Sequence, residues 1–108
     1  MRTLWIFAVP ALFAGGEAAF AQELGDPQKG LSYAEQVCAE CHAVLAEEDL
    51  SPVFGVPPFR VVANTPGMTE TALNVWFQTP HPSMPNLVIP AEDLANVIAY
   101  ILSLKEKR

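Results

Sequence analysis

The sequence has few basic residues. Six lysines and arginines stand against twelve aspartates and glutamates, which gives a formal charge of −6 over 108 residues. Such an excess of negative charge repels nucleic acid and favours a partner with a basic patch, although it also serves solubility alone. A chain of this length accommodates one small domain and leaves no room for a second. We therefore expect a single acidic domain that does not bind nucleic acid.

No apolar run is long enough to cross a bilayer. The longest, residues 4–14, is shorter than the roughly 18 to 20 residues that a membrane-spanning helix needs. It follows Arg2 and precedes a run of small residues that ends at Ala21, the pattern of a secretory signal peptide. We predict that residues 1–21 are a signal peptide and that residues 22–108 are an exported domain without stable membrane insertion. Retention of the first segment as an anchor is the alternative.

Cysteine is scarce as well. Cys38 and Cys41 are the only two, and His42 follows directly. A disulfide across so short a separation closes too small a loop to stabilise the fold by much, yet a small exported domain needs some staple to complete its core. The three residues allow a redox-active dithiol, part of a zinc site or the covalent attachment of haem.

The surroundings favour haem among these three sites. A thioredoxin-like dithiol begins a helix that follows a strand, whereas Cys38 and Cys41 end a helical pattern in a sequence without strand alternation. Zinc needs four ligands, and His81 is the only further histidine. These four residues are a chemically possible set, but the adjacent Cys41 and His42 are awkward to direct at one small ion. Haem uses both thiols for thioether bonds to its vinyl groups and places His42 at the iron. The attachment is made in an exported compartment, which agrees with a signal peptide.

Periodic apolar residues predict an all-α fold of three or four helices. Asp26 and Pro27 are a helix start signal, and both cysteines lie on or near the apolar stripe that follows. Thr69 is the predicted N-cap of a short helix that Pro80 ends. Pro90 opens the clearest helix, with acids in its first turn and bases at its end. The predicted apolar faces are Leu31, Ala34 and Val37 on the first helix, Leu73, Trp76 and Phe77 on the second, and Leu94, Val97, Ile98, Ile101 and Leu102 on the last. The bases predicted at the end of the last helix are Lys105, Lys107 and Arg108.

Two segments lack helical periodicity. Residues 45–67 contain four prolines and two glycines and predict a long ordered loop with at most one short turn of helix. A loop of this length is uncommon in a compact domain unless it wraps a bound group. Residues 80–90 also carry four prolines and predict a stiffened strap that is not regular helix.

A haem iron held by His42 needs a ligand on its other face. The candidates are Met84, His81 and Met68. Met84 lies in the strap just before the last helix and gives the His/Met pattern of cytochromes. His81 would give a bis-histidine iron of lower potential, and Met68 precedes a helix cap, where packing explains it better. We expect His42 and Met84 to be the axial ligands.

The order of these features resembles the small bacterial class I c-type cytochromes. The shared features are CAECH early in the chain, a Met-Pro strap late and a closing amphipathic helix, and the resemblance covers residues 25–105. It implies a small cytochrome c fold of three to four helices wrapped around one covalently attached haem c. Gly30 and Tyr100 match family positions where the first and last helices cross, whereas Ala34 stands where the family often has an aromatic residue.

The resemblance also implies contacts around the haem. In the family the axial histidine donates its second N–H to a proline carbonyl in the following loop, which points to Pro57, with Pro58 as the alternative. Arg60 and Trp76 are candidates for hydrogen bonds to the haem propionates. For Trp76, packing on an apolar helix face is the favoured explanation.

An iron held between His42 and Met84 has no open position for a substrate. We therefore expect a periplasmic electron-transfer protein, not an enzyme, that carries single electrons between respiratory or dehydrogenase complexes and meets redox partners with basic docking patches. Two alternatives remain: a dedicated haem subunit of a periplasmic dehydrogenase, and a haem enzyme or gas sensor if the bond to Met84 is weak or absent.

Overall fold

The structure is a computed structural model that describes part of the first ten residues and most of residues 25–106. The described residues are 2–6, 8–10, 25–79, 84 and 88–106. Within them the chain forms four helices and no strand, which confirms the predicted all-α fold. The helices are α1 (Pro27–Val37), α2 (Phe59–Ala63), α3 (Glu70–Gln78) and α4 (Ala91–Ser103). None of these described helices is long and apolar enough to span a membrane. The predicted cleavage after Ala21 lies outside the described residues.

Side-chain caps begin two of the helices. Asp26 accepts hydrogen bonds from the N–H groups of Gln28 at 2.9 Å and Lys29 at 3.4 Å, and Pro27 occupies the first turn, where no N–H is needed. Thr69 accepts from the N–H of Ala72 at 3.1 Å at the start of α3. Both capped starts are confirmed, because a cap acts on groups only two or three residues away. The start predicted at Pro90 is confirmed too, since α4 begins at Ala91 with Pro90 as its N-cap.

The end of α4 differs from the prediction. The helix ends at Ser103, and the N–H groups of Leu104 and Lys105 donate to carbonyls three residues back at 3.0 and 3.2 Å, which tightens the chain out of the helix. Lys105 therefore lies beyond the last turn, where its ammonium group donates to the carbonyl of Met68. The prediction of closing bases is wrong for Lys105, and Lys107 and Arg108 lie outside the described residues.

The central packing is the crossing of α1 over α4. A Cβ atom at Gly30 would stand 1.9 Å from the carbonyl oxygen of Asn96 and 2.8 Å from Cβ of Tyr100, so only glycine allows this approach. The crossing is also held by a buried polar group, since Oδ1 of Asn96 accepts the N–H of Asp26 at 2.8 Å. The crossing at Gly30 and Tyr100 that the resemblance implied is therefore present.

The core lies where α1, α2 and α3 meet α4. Its buried members are Ala34, Cys38, Val44, Phe59, Ala63, Leu73, Val97, Ile98, Tyr100 and Ile101. On α3, Leu73 is buried and Phe77 packs against the core, whereas Trp76 is 58% exposed. The prediction that Trp76 packs on the apolar face is wrong, because at about 100° per residue it lies on the side of Leu73 opposite to Phe77.

Candidate functional site

Residues 38–42 form one turn that leaves the end of α1. The N–H groups of Cys41 and His42 both donate to the carbonyl of Cys38, at 3.2 and 2.9 Å. α1 itself ends at Val37, with Cys38 as its cap. The turn therefore presents two thiols and an imidazole within five consecutive residues.

The two thiols lie in different environments. Cys38 is 8% exposed and belongs to the core, whereas Cys41 is exposed. The prediction that both lie on or near the buried stripe of the first helix is right for Cys38 and wrong for Cys41. The reason is local: regular helical geometry stops before Cys41, so the spacing that buries the stripe of α1 no longer applies there.

The described residues do not support the dithiol or zinc interpretations. Burial raises the pKa of the Cys38 thiol from 9.0 to about 11, whereas a reactive dithiol needs a lowered pKa. Among the described residues no three His, Cys, Asp or Glu side chains form a group that could hold a metal ion. His81, the one further histidine, lies outside them.

The half-buried imidazole of His42 is oriented by the loop before α2. Its Nδ1 lies 2.7 Å from the carbonyl oxygen of Pro57. A carbonyl can only accept, so Nδ1 carries the proton and donates, and Nε2 keeps its lone pair. Pro58, the alternative acceptor, instead stands at the N-terminus of α2. The contact leaves Nε2 as the nitrogen that can bind a metal.

Phe59 supports the same imidazole from the side. It is 4% exposed, and its ring centroid lies 5.1 Å from that of His42 with the planes tilted by 53°. Its N–H donates to the carbonyl of Ala43 at 2.8 Å, and its ring lies 6.5 Å from that of Tyr100. The sequence predictions do not include Phe59. An aromatic residue directly after Pro57 and Pro58 is the signal that points to it.

Arg60 pairs with acidic side chains of this chain. Its guanidinium group binds the carboxylate of Asp49, and a second nitrogen lies 3.5 Å from a carboxylate oxygen of Glu106. These two carboxylates supply partners for Arg60 without a propionate. A role of Arg60 toward haem stays a prediction.

Met84 is partly buried, and its neighbours in the strap, residues 80–83 and 85–87, lie outside the described residues. Met68 packs against the core, and its carbonyl accepts from Lys105. Packing therefore accounts for Met68, as predicted. Ligation by Met84, with His81 as the alternative, stays a prediction.

An apolar cleft lies between α3 and the residues just before and within α4. The cleft of about 190 Å³ is lined by Phe77, Gln78, Val88, Ile89 and Leu94. Nearby in sequence, Val75 on α3 is 62% exposed and Val88 is 96% exposed. Large apolar side chains left open beside an apolar cleft are typical of a surface that a ligand covers.

Comparison with known proteins shows the family of the chain. The chain is 30% identical over 100 residues to cytochrome c-552 of Bradyrhizobium diazoefficiens, and the match covers 93% of this chain and 92% of that protein. No protein-family model matches the chain, and no solved structure matches it. Identity sustained over nearly the whole of both chains shows that this protein belongs to the c-type cytochromes, haem proteins of electron transfer.

Proposed function

We propose that the protein is an exported monohaem electron carrier. In this proposal Cys38 and Cys41 bind one haem c through thioether bonds, and His42 and Met84 are the axial ligands of its iron. The observation that carries the proposal is the contact of 2.7 Å between His42 and Pro57. It fixes the tautomer with Nε2 available and makes the imidazole a stronger electron donor to a metal.

The turn after α1 provides the three attachment groups in a suitable order. Cys38 and Cys41 would hold the haem through thioether bonds, each S–H adding across one vinyl double bond, so that no oxidant would be needed. The exposed thiol of Cys41 is open to this addition, and Cys38 supplies the second bond from the edge of the core. His42 follows in the same turn, on the side where Pro57 and Phe59 hold its ring.

The bound haem would supply one reversible electron exchange at its iron. Side chains at both axial positions leave no place for a substrate, and a thioether ligand in an apolar pocket favours the reduced iron. The chain's own contribution is to orient His42, to exclude water with the core around Phe59 and to present Met84 from the strap. These features support a carrier of fairly high potential over a haem enzyme or gas sensor.

The charge of the chain supports partners with basic docking patches. Besides burial, the charges of Glu47, Glu35 and Glu48 raise the pKa of Tyr100, so these three carboxylates lie near the same hydroxyl. Carboxylates grouped in this way speed encounter with a basic protein and are screened by salt. We place this exchange in the periplasm, after removal of residues 1–21, between respiratory or dehydrogenase complexes. A dedicated subunit of one dehydrogenase would use the same surface.

The absorption spectrum of the haem-loaded protein tests the ligation. We expect a low-spin spectrum with the weak far-red band of methionine bound to ferric haem. Met84→Ala should lose this band, whereas Met68→Ala should retain it because Met68 is a packing residue. His81→Ala should also retain it. Absence of the band in the wild type, its retention in Met84→Ala, or rapid carbon monoxide binding by the reduced wild type would contradict the proposed ligation.

A further inference from the structure

Both contacts that orient His42 depend on the position of α2. Phe59, the first residue of α2, packs on the imidazole of His42. The carbonyl of Pro57, two residues earlier, accepts the Nδ1–H of that imidazole. Yet α2 has only five residues. A helix this short is not stable by itself in water, so contacts with the rest of the fold must set its position.

Asn64, the cap at the C-terminal end of α2, makes such contacts through both the nitrogen and the oxygen of its side-chain amide. Its Nδ2 donates to the carbonyl of Arg60 within α2 at 2.7 Å and to the carbonyl of Leu104 beyond α4 at 3.2 Å. Its Oδ1 accepts the N–H of Glu106 at 2.8 Å. Two of the three hydrogen bonds therefore join α2 to a segment forty or more residues away.

We propose that Asn64 is a positioning residue for His42. By fastening α2 to the chain after α4, it holds the Pro57 carbonyl in place, and that carbonyl orients the imidazole. The inference rests on the proposed ligation by His42. It assigns Asn64 an effect on the iron, which a residue that only stabilises the fold would not have.

Arg60 provides a second tie between the same parts of the chain. It joins Asp49 in the long loop to Glu106, but the arginine side chain is 35% exposed and the two carboxylates are 73% and 67% exposed. Exposed ion pairs contribute little and are screened by salt. The neutral hydrogen bonds of Asn64 do not depend on salt in this way. At physiological ionic strength Asn64 therefore contributes more than Arg60 to holding α2 against the chain after α4.

The test compares Asn64→Ala with Thr65→Ala in the haem-loaded protein. Thr65 is a matched control, because its hydroxyl donates at 2.9 Å to the carbonyl of Val61, four residues before it, and the variant removes that local bond alone. In Asn64→Ala we expect exchange of the His42 Nδ1 proton with solvent, measured by NMR, to become about fivefold to tenfold faster. We also expect the midpoint potential to rise, since a more loosely held imidazole donates less electron density to the iron. Thr65→Ala should change neither quantity.

Both substitutions replace one neutral side chain by another, so a shift in potential cannot come from a change of charge. If Asn64→Ala lowers only the melting temperature and leaves the proton exchange and the potential of the folded protein at wild-type values, the proposal is overturned. If that variant does not fold, Asn64→Asp keeps an acceptor for Glu106 and loses the Nδ2 donor, and unchanged proton exchange in it would overturn the proposal equally. The wild-type spectrum tests ligation separately, so failure of the proposed function is distinguishable from failure of this inference.

Discussion

The imidazole Nδ1 of His42 lies 2.7 Å from the carbonyl oxygen of Pro57. The acceptor is a main-chain oxygen, so it does not depend on which side chain residue 57 carries. The donor, in contrast, is the imidazole side chain itself, and alanine at position 42 removes it. This difference predicts unequal effects for substitutions at the two ends of one hydrogen bond.

We expect His42→Ala to lose the low-spin spectrum, because no neighbouring group on the turn can replace Nε2. Pro57→Ala should keep a low-spin spectrum and the wild-type far-red band, since the carbonyl remains. The absorption spectra of the two purified haem-loaded variants measure this. A low-spin spectrum of wild-type form in His42→Ala would remove His42 from the proposed ligands.

Gly30→Ala should destabilise the fold by about 3 kcal/mol, the upper part of the usual range for overpacking. The new methyl group would stand 1.9 Å from the main-chain oxygen of Asn96, which cannot move without shifting α4. Gly55→Ala is the control: its φ of +84° costs a side chain about 1 to 2 kcal/mol, but nothing lies within 4 Å of the added carbon. Denaturant unfolding of the haem-loaded variants gives both values. Equal losses at the two glycines would mean that the crossing tolerates the methyl group.

The Tyr100 hydroxyl donates to the carbonyl of Val44 at 2.5 Å in the core. We expect Tyr100→Phe to cost about 1 to 2 kcal/mol, because the buried carbonyl loses its donor. The free energy of unfolding at neutral pH measures this loss. A variant as stable as the wild type would show that the Val44 carbonyl finds another partner.

Alkaline pH should destabilise the wild type through the same hydroxyl. Burial, together with the charges of Glu47, Glu35 and Glu48, raises the pKa of Tyr100 above 10.0. Above pH 10 the unfolded chain releases this proton while the folded chain still holds it, so the free energy of unfolding falls as the pH rises toward the folded pKa. Below pH 10 the contribution is fully present. Tyr100→Phe should lack this part of the alkaline loss, and parallel pH profiles for the two proteins would contradict the assignment.

Electron exchange with a cationic complex such as hexaammineruthenium should slow several-fold as salt rises from about 10 to 200 mM, because salt screens the attraction of the acidic surface. Exchange with the anion ferricyanide should become faster over the same range. Stopped-flow absorbance at the haem band measures both rates. Rates that do not depend on ionic strength would remove the charge argument for basic partners.

Features that depend on residues close together in the chain could be predicted from the sequence, whereas features that depend on distant residues could not. The caps at Asp26 and Thr69 act over two or three residues, and their helices begin where the sequence predicts. The crossing at Gly30 could be predicted only from the family resemblance, since its partner on α4 is far away in the chain. The predicted burial of Cys41 and Trp76 is wrong because helical periodicity does not say at which residue a helix stops or which side of it a neighbouring helix covers.

The sequence by itself determined that the fold is all-α, where three helices begin and that Cys38, Cys41 and His42 come at the end of the first helix. These properties depend on neighbours within about one helical turn. Only the tertiary structure decided that Phe59 packs on His42, that Arg60 pairs with Asp49 and Glu106, and that Asn64 binds the chain after α4. The physical reason is that these partners meet only when α1 and α2 pack against α4, and no local pattern encodes which distant carbonyl or carboxylate that packing brings within reach.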